Sequence, residues 1–446
     1  MACSSVARIG LGASLGLALS SVTALATTAA EHVDPVAPLL VTLIVLLLAA
    51  KLGGDIFERL GQPPVLGELL FGVALGNLHL LGFRELEYLQ HDRALELFAD
   101  LGVILLLFQV GLESDVGDML SVGPSSAVVA VLGVIAPMIL GMVTSWWFHP
   151  SESMYLHLFV GATLCATSVG ITARVLQDLG RIKTREARIV LGAAVIDDVL
   201  GLMVLTAVTG AIRSAAGDGP GVSIGVLASI VAKAFGFVLG AVTIGYFASP
   251  HLLRVAARFR VRGMLLTTAL LMCFLLSYLA QWVGLAPIVG AFAAGLILKE
   301  RHYEIFRRRG EPTMHALLNP LVTFLVPLFF VRMGLLVDLR TLSRTAVLGF
   351  AAALTGAAIL GKQVCALGVL ERGLDRLSIG LGMIPRGEVG LIFASIGATL
   401  VLGGHAVIGR DAFSAVVIMV MVTTLVTPPL LRWSLSRSSS SHRKGL

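Results

Sequence analysis

Long apolar segments alternate with short polar or basic stretches along almost the whole chain. Most are close to the roughly 20 residues that a helix needs to cross the hydrocarbon core of a bilayer. The ten-residue alternation of a transmembrane strand does not occur, so these segments are expected to be helices. The pattern predicts about thirteen transmembrane helices, at residues 36–53, 64–82, 95–112, 124–148, 156–178, 187–210, 221–248, 265–283, 285–299, 316–337, 345–371, 375–401 and 411–432.

The composition supports this interpretation. Hydrophobic residues make up 57% of the chain and charged residues 13%, and the mean hydropathy is +0.92, well outside the usual range for a soluble globular protein. The fold class is therefore predicted to be an all-α polytopic membrane protein. The sequence contains no Gly-rich phosphate loop and no H-E-x-x-H motif. We expect neither an enzyme nor a bound cofactor.

Both ends of the chain differ from the apolar middle. Residues 1–30 carry Arg8, an apolar run at 9–19, and Ala24-Leu25-Ala26, which resembles a cleavage site. We predict a signal peptide, with an uncleaved extension or a fourteenth helix as alternatives. The transmembrane domain is predicted to span 36–432. The Ser- and Arg-rich residues 433–446 are predicted to form a short, disordered cytoplasmic tail.

Basic residues concentrate in alternate loops. With the N-terminus placed outside, the loops assigned inside hold most of the 33 Lys and Arg, notably around 181–188, 254–262 and 299–309. The positive-inside rule then predicts an external N-terminus and an internal C-terminus, in a bacterial inner membrane. Such loops meet anionic lipid, which accounts for the net charge of +6 without a nucleic-acid partner.

An adjacent pair of acids lies in the sixth predicted helix. Asp197 and Asp198 are the only charges between residues 189 and 212. A carboxylate at membrane depth costs at least ~2.5–3.5 kcal/mol, so each must face a partner or a watery cavity. Neighbouring side chains on a helix point about 100° apart, so the two acids need different partners. Lys362 in the eleventh segment is a natural counter-ion for one of them; alternatively, it reaches an interface.

Two predicted helices are interrupted in the middle. The fifth contains ATSVG at 166–170, with Thr167 and Ser168, and the twelfth contains GMIPRGEVG at 382–390. Pro385 lacks a backbone donor, and the glycines loosen the turn. Broken helices at mid-membrane free carbonyls and dipole ends for ions, although small residues also serve close packing. One break in each half of the chain predicts inverted repeats with two crossed broken helices.

Further charges lie within or near the predicted helices. Arg386 and Glu388, at the second break, are expected to form a structural ion pair with each other or with neighbouring helices. Glu68, Glu113 and Arg332 lie nearer predicted helix ends. We assign these three a structural or gating role by default.

Five motifs occur in an order that resembles a known transporter superfamily. They are GQPPVLGE at 61–68, GLE at 111–113, ATSVG at 166–170, VIDD at 195–198 and PRGEVG at 385–390. With them, the sequence over about residues 36–432 resembles the cation:proton antiporters. It is most similar to the Kef- and NapA-like branch of sodium or potassium ion/proton exchangers.

This resemblance implies a homodimer in which each chain has a core domain and a scaffold domain used for dimerisation. The core helices would lie at about 95–210 and 345–432, with the scaffold in the remainder. Asp198 would carry the ion and the proton, with sodium bound there. Asp197 would pair with Lys362, and Thr167 and Ser168 would lie at the ion site.

The resemblance also implies a mode of transport. A diacid together with a lysine resembles electrogenic members, whereas electroneutral members tend to carry Asn in place of the first acid. Electrogenic sodium/proton exchange by alternating access is therefore expected, with lithium and potassium as alternative ions. The expected partners are monovalent cations, protons and membrane lipid. An electroneutral exchanger, or a channel or membrane sensor on the same scaffold, are the alternatives.

Overall fold

The computed structural model describes residues 36–83, 86–114, 116–216, 224–259, 261–299, 303–337, 339–340, 345–402 and 405–443. The predicted signal peptide at 1–30 lies outside them. In chain order the helices are α1 (Val36–Arg59), α2 (Pro64–Gly76), α3 (Arg93–Leu112), α4 (Val116–Ser121), α5 (Gly123–Phe148), α6 (Met154–Thr163), α7 (Val169–Asp178), α8 (Arg185–Ala215), α9 (Ile224–Ala256), α10 (Met264–Val283), α11 (Pro287–Ile297), α12 (Glu304–Arg307), α13 (Met314–Leu335), α14 (Thr345–Cys365), α15 (Arg376–Gly382), α16 (Gly387–Thr399) and α17 (Arg410–Arg443). Strands β1 (Val401–Leu402) and β2 (His405–Ala406) form an antiparallel pair, and 3₁₀ turns span Leu78–Leu81, Glu87–His91 and Ala366–Gly368.

The predicted all-helical membrane architecture is confirmed. Within the described ranges, nine helices are long and apolar enough to cross a membrane: α1, α3, α5, α8, α9, α10, α13, α14 and α17. The other four predicted segments correspond to the shorter helices α2 and α11 and to the pairs α6/α7 and α15/α16. The count of thirteen crossings stays a prediction, because length and hydropathy alone do not establish how the short helices cross.

Apolar side chains also cover the outside of the molecule. On α1, the exposed residues Leu40, Ile44, Leu48 and Leu52 recur every four positions and line one face. A bilayer, unlike water, solvates such a face without cost. The chain is therefore an integral membrane protein.

The long helices pack into two bundles. The first, which we name the scaffold bundle, contains α1, α2, α3, α9, α10, α11 and α13; the second, the core bundle, contains α5, α6, α7, α8, α14, α15, α16 and α17. Helix α7 also packs against α2 and α3, α17 packs against α2, and α8 packs against α9. These contacts form the interface between the two bundles.

Helix α3 packs differently from the expectation that the core begins at about residue 95. It lies against α11 and α13 of the scaffold bundle. A methyl group added at Gly111 would lie 2.3 Å from the carbonyl oxygen of Phe292, and one at Gly295 would lie 2.2 Å from that of Phe108. Glycines on both helices thus permit a backbone approach that ties α3 to α11, as small residues do in membranes.

Within the core bundle, one order of elements occurs twice. A long helix, a broken helix and a second long helix follow one another as α5, α6/α7 and α8, and again as α14, α15/α16 and α17. This order is the one that the inverted-repeat prediction requires. The inverted relation of the two units stays a prediction.

Helix α17 continues to Arg443, beyond residue 433 where the cytoplasmic tail is predicted to begin. Ser434 and Leu435 are buried. The Ser434 hydroxyl donates to Asp375 Oδ2 at 3.2 Å and the Ser378 hydroxyl donates to Ser434 Oγ at 2.8 Å. Packing against the start of α15 therefore extends the helix beyond the apolar segment.

Candidate functional site

Both predicted interruptions are real breaks in the core bundle. Helix α6 ends at Thr163 and α7 begins at Val169, with Ser168 at its N-cap in an extended conformation. Helix α15 ends at Gly382 and α16 begins at Gly387. The backbone between the paired half-helices is therefore available for contacts outside its own helix.

The two breaks contact each other directly. The Ser168 amide donates to the carbonyl of Pro385 at 2.7 Å, and the Thr167 hydroxyl donates to the carbonyl of Met383 at 3.3 Å. One turn further along α7, the Thr172 hydroxyl donates to the carbonyl of Gly382 at 2.6 Å. Threonine hydroxyls thus satisfy carbonyls at the end of α15. The interrupted segments hold each other as a crossed pair.

Gly387 is the tightest point of this crossing. Its φ is +47°, a left-handed conformation that costs an L-residue with a side chain roughly 1–2 kcal/mol. A methyl group added there would also lie 2.6 Å from Ser168 Oγ. The position therefore requires glycine both for its backbone conformation and for its space.

We predict that Gly387→Ala destabilises the protein by at least about 1–2 kcal/mol, because the backbone is strained and the crossing must open to admit the methyl group. Thermal unfolding in detergent measures this effect. Gly356→Ala is the matched control: it lies inside α14 with open space around its added methyl group. Equal stability of the two variants contradicts the role given to Gly387.

A buried ion pair lies beside the breaks. Lys362 Nζ on α14 lies 3.1 Å from Asp197 Oδ2 on α8, and both side chains are 0% exposed. The same ammonium donates to the carbonyl of Cys165 at 2.7 Å. Lys362 therefore does not reach an interface. The ion pair expected from the resemblance is present, and it also anchors the α6/α7 break.

Arg386 is the second cation at the same carbonyl. It is fully buried, and its Nη1 donates to the carbonyls of Ala166 at 2.6 Å and Cys165 at 3.1 Å. These carbonyls follow the end of α6, where the helix dipole is negative. Two cations from the second repeat unit thus neutralise the open end of the first broken helix. Glu388, the expected partner of Arg386, lies in α16, and its side chain is outside the described part of the structure.

Asp198 differs from Asp197 in its surroundings. Its side chain is half-buried, whereas Asp197 is fully buried. A methyl group added at Gly201, three residues further along α8, would lie 3.9 Å from the Cβ of Ala166. Residues three apart share a helix face. Asp198 therefore lies on the side of α8 that passes the α6/α7 break.

The structure thus gathers most of the predicted site. Asp197, Lys362 and Arg386 converge on the break that contains Thr167 and Ser168, and Asp198 lies on the adjoining face of α8. Cation ligands in proteins are carboxylate, hydroxyl and carbonyl oxygens, and all of these occur here. The site can hold a small hard cation or a proton.

Sequence reasoning missed a second charge cluster, in which Glu68 is buried and Arg174 is partly buried. Arg174 on α7 lies 3.0 Å from Asp178 Oδ1 on its own helix and 3.7 Å from Glu68 Oε1 on α2. Glu68, treated as lying near a helix end, is fully enclosed. The spacing of Arg174 and Asp178 at i and i+4 is the signal that could have revealed the cluster.

The sequence as a whole matches one family over most of its length. The family described as "Sodium/hydrogen exchanger, transmembrane" matches residues 42–437. The high-affinity Na⁺/H⁺ antiporter NhaS3 of Synechocystis sp. (strain ATCC 27184 / PCC 6803 / Kazusa) is 38% identical over 91% of this chain and 92% of its own. The Na⁺/H⁺-K⁺ antiporter GerN of Bacillus cereus is 34% identical over 87% of this chain and 94% of its own.

The fold is also similar to that of a solved structure. The sodium proton antiporter MjNhaP1 from Methanocaldococcus jannaschii at pH 8 superposes with a TM-score of 0.55, covering 90% of this chain and 98% of that one at 16% identity. At that identity the similarity concerns the fold alone. The match over residues 42–437, with relatives at 38% and 34% identity, shows that the chain belongs to the sodium/hydrogen exchanger family.

Proposed function

We propose that this protein exchanges Na⁺ for H⁺ across a membrane, electrogenically, with Asp198 as the carboxylate that binds either ion. The observation that carries the proposal is the buried Asp197–Lys362 pair beside the crossed breaks, with Asp198 next to it on α8. Relatives named as Na⁺/H⁺ antiporters support the choice of ions. They also indicate a transporter rather than an enzyme.

We assign different roles to Asp197 and Asp198 because their surroundings differ. Asp197 is enclosed and already paired with Lys362, so an incoming cation would have to displace an ammonium. Asp198 is half-buried and is not a member of that pair, so a cation bound at Asp198 would leave the pair intact. A carboxylate offers the same lone pairs to a proton and to a small cation, so the two compete. Competition at one carboxylate is the chemical basis of exchange.

Alternating access turns this competition into coupled transport. A bare carboxylate is costly to move through a low-dielectric region, whereas a carboxylate neutralised by H⁺ or Na⁺ is not. If only the neutralised site reorients, each passage of Na⁺ in one direction requires protons in the other. The bundle interface formed by α7 with α2 and α3 is the surface along which the core would move.

Electrogenic exchange needs a second titrating group, because one carboxylate swaps one H⁺ for one Na⁺ without moving net charge. The Asp197–Lys362 pair is adjacent to Asp198 and can supply it if Lys362 loses a proton when Na⁺ binds. A second candidate function is electroneutral exchange, in which the Asp197–Lys362 pair keeps its charges throughout and is only structural. The complete burial of both side chains favours this candidate. The orientation with the N-terminus out and the C-terminus in, and the homodimer, are part of the same proposal.

The test is proton flux in proteoliposomes under an imposed pH gradient, with Na⁺ or K⁺ added in turn and the membrane potential clamped or free. We expect Na⁺-evoked proton movement whose rate responds to the potential. A rate of proton movement that does not depend on the membrane potential favours the electroneutral exchanger. Absence of movement with either ion contradicts the proposal and favours a channel or a sensor.

A further inference from the structure

A polar cavity lies between the two bundles, away from the crossed breaks. Its volume is about 500 Å³, and its lining includes Arg174, Gln177 and Asp178 of α7 together with Glu113 and Thr323 of the scaffold bundle. A charged side chain in the interface between two apolar bundles is costly unless it pairs with another group or contacts water. Those on α7 belong to the half-helix that begins at Ser168 in the candidate ion site.

Arg174 has one partner on each bundle. Its Nε lies 3.0 Å from Asp178 Oδ1, one turn along α7, and its Nη2 lies 3.7 Å from Glu68 Oε1 on α2 of the scaffold bundle. The first distance is that of a close ion pair, whereas the second is longer than a hydrogen bond. The contact across the interface is therefore the weaker of the two.

A second bridge runs parallel to this one. The Gln177 amide on α7 donates to Glu113 Oε1, at the end of α3, at 3.4 Å. Residues 174, 177 and 178 share one face of α7. The face of the half-helix that meets the scaffold bundle is thus polar. Its contacts through Arg174 and Gln177 are long, and the Asp178 carboxylate also accepts a hydrogen bond from the Val65 amide of α2.

We propose that Arg174 is a positioning residue for transport: through Glu68 it fixes α7, and with it the ion site, against the scaffold bundle in the orientation described here. When the core moves, Arg174 releases Glu68 and keeps Asp178. The partly buried guanidinium is then never without a carboxylate, which keeps the cost of the movement low. This rests on the alternating access in the proposed function.

The test uses the purified full-length protein in detergent, with the reporter substitution Thr323→Cys in the cavity and the rate of maleimide labelling as the readout. Cys3, which lies outside the described residues, is replaced by Ser in every protein of the series. The protein without the reporter substitution then gives the background, since Cys165, Cys273 and Cys365 are buried. Glu68→Gln is expected to slow labelling several-fold, because the orientation that exposes the cavity is less populated. Glu68→Asp keeps the charge on a side chain that is one methylene shorter. Its labelling rate is expected to lie between those of the reporter protein and Glu68→Gln.

Asp178→Asn is not expected to slow labelling, because the amide oxygen of asparagine can still accept from the Val65 amide of α2. Arg174 then has Glu68 as its remaining acid, so labelling stays at or above the rate of the reporter protein while maximal exchange slows several-fold. Asp55→Asn is the matched control, because its ion pair with Arg59 is exposed, and it is expected to change neither rate.

Labelling of Glu68→Gln and Glu68→Asp at the rate of the reporter protein overturns the proposal, as does slower labelling in Asp178→Asn. If Glu68→Gln does not fold, the comparison of Glu68→Asp, expected to label more slowly, with Asp178→Asn, expected not to, still tests the proposal. Labelling needs no transported ion. A failure of this proposal is therefore distinct from a failure of Na⁺/H⁺ exchange.

Discussion

Asp198→Asn is expected to abolish Na⁺-evoked proton movement in proteoliposomes while the protein stays folded. Asparagine has nearly the shape of aspartate, but it carries no charge and binds no proton in this pH range. Removing a charge at membrane depth also removes its desolvation cost. The variant is therefore expected to unfold at the same temperature as the parent or above it.

Asp55→Asn serves as the control for this experiment. Asp55 is an exposed acid on α1 with an i,i+4 partner, Arg59, and exposed pairs contribute only about 0–1 kcal/mol. Its loss is expected to leave exchange intact. Sustained exchange by a well-folded Asp198→Asn protein would remove Asp198 from the role given to it.

Lys362→Met is expected to destabilise the protein by about 3–5 kcal/mol, the usual cost of leaving a buried charge without its partner. Asp197 has no exposure to water, and its Oδ1 already makes no hydrogen bond within the described ranges. The Cys165 carbonyl would lose a donor as well. Thermal unfolding in detergent measures the effect.

The double variant Asp197→Asn/Lys362→Met separates the ion pair from other effects of the lysine. It leaves no bare charge at this position, so it is expected to recover much of the lost stability. Recovery indicates that the single variant suffers from an unpaired carboxylate. A double variant as unstable as Lys362→Met would show instead that the lysine matters mainly for the carbonyl of Cys165.

Sequence reasoning reached the parts of the site that have a chemical signature of their own. Charges inside an apolar stretch identify Asp197 and Asp198, because lipid makes each of them costly. Pro385 and the Thr167-Ser168 pair identify the breaks, because they interrupt helices at mid-membrane. Hydropathy alone is sufficient for the helical class, since lipid leaves the backbone few alternatives.

Other parts of the site depend on which helices become neighbours, which hydropathy does not encode. The hydrogen bonds from Arg386 to the carbonyls of Cys165 and Ala166 were not predicted, because a carbonyl has no signature in the sequence. The position of α3 likewise follows from the close contact of Gly111 with Gly295. Glycine is too frequent here, at 49 copies, for one pair to stand out.

The central claim is that Na⁺ and H⁺ compete for Asp198, and Na⁺ binding to the purified protein at a series of pH values tests it most directly. At pH values where most Asp198 carboxyl groups are protonated in the absence of Na⁺, the apparent Kd for Na⁺ is expected to rise about tenfold or more for each unit that the pH falls. Asp198→Asn is expected to show no such binding. An apparent Kd that is the same at every pH, or pH-dependent binding that survives in Asp198→Asn, would contradict the account.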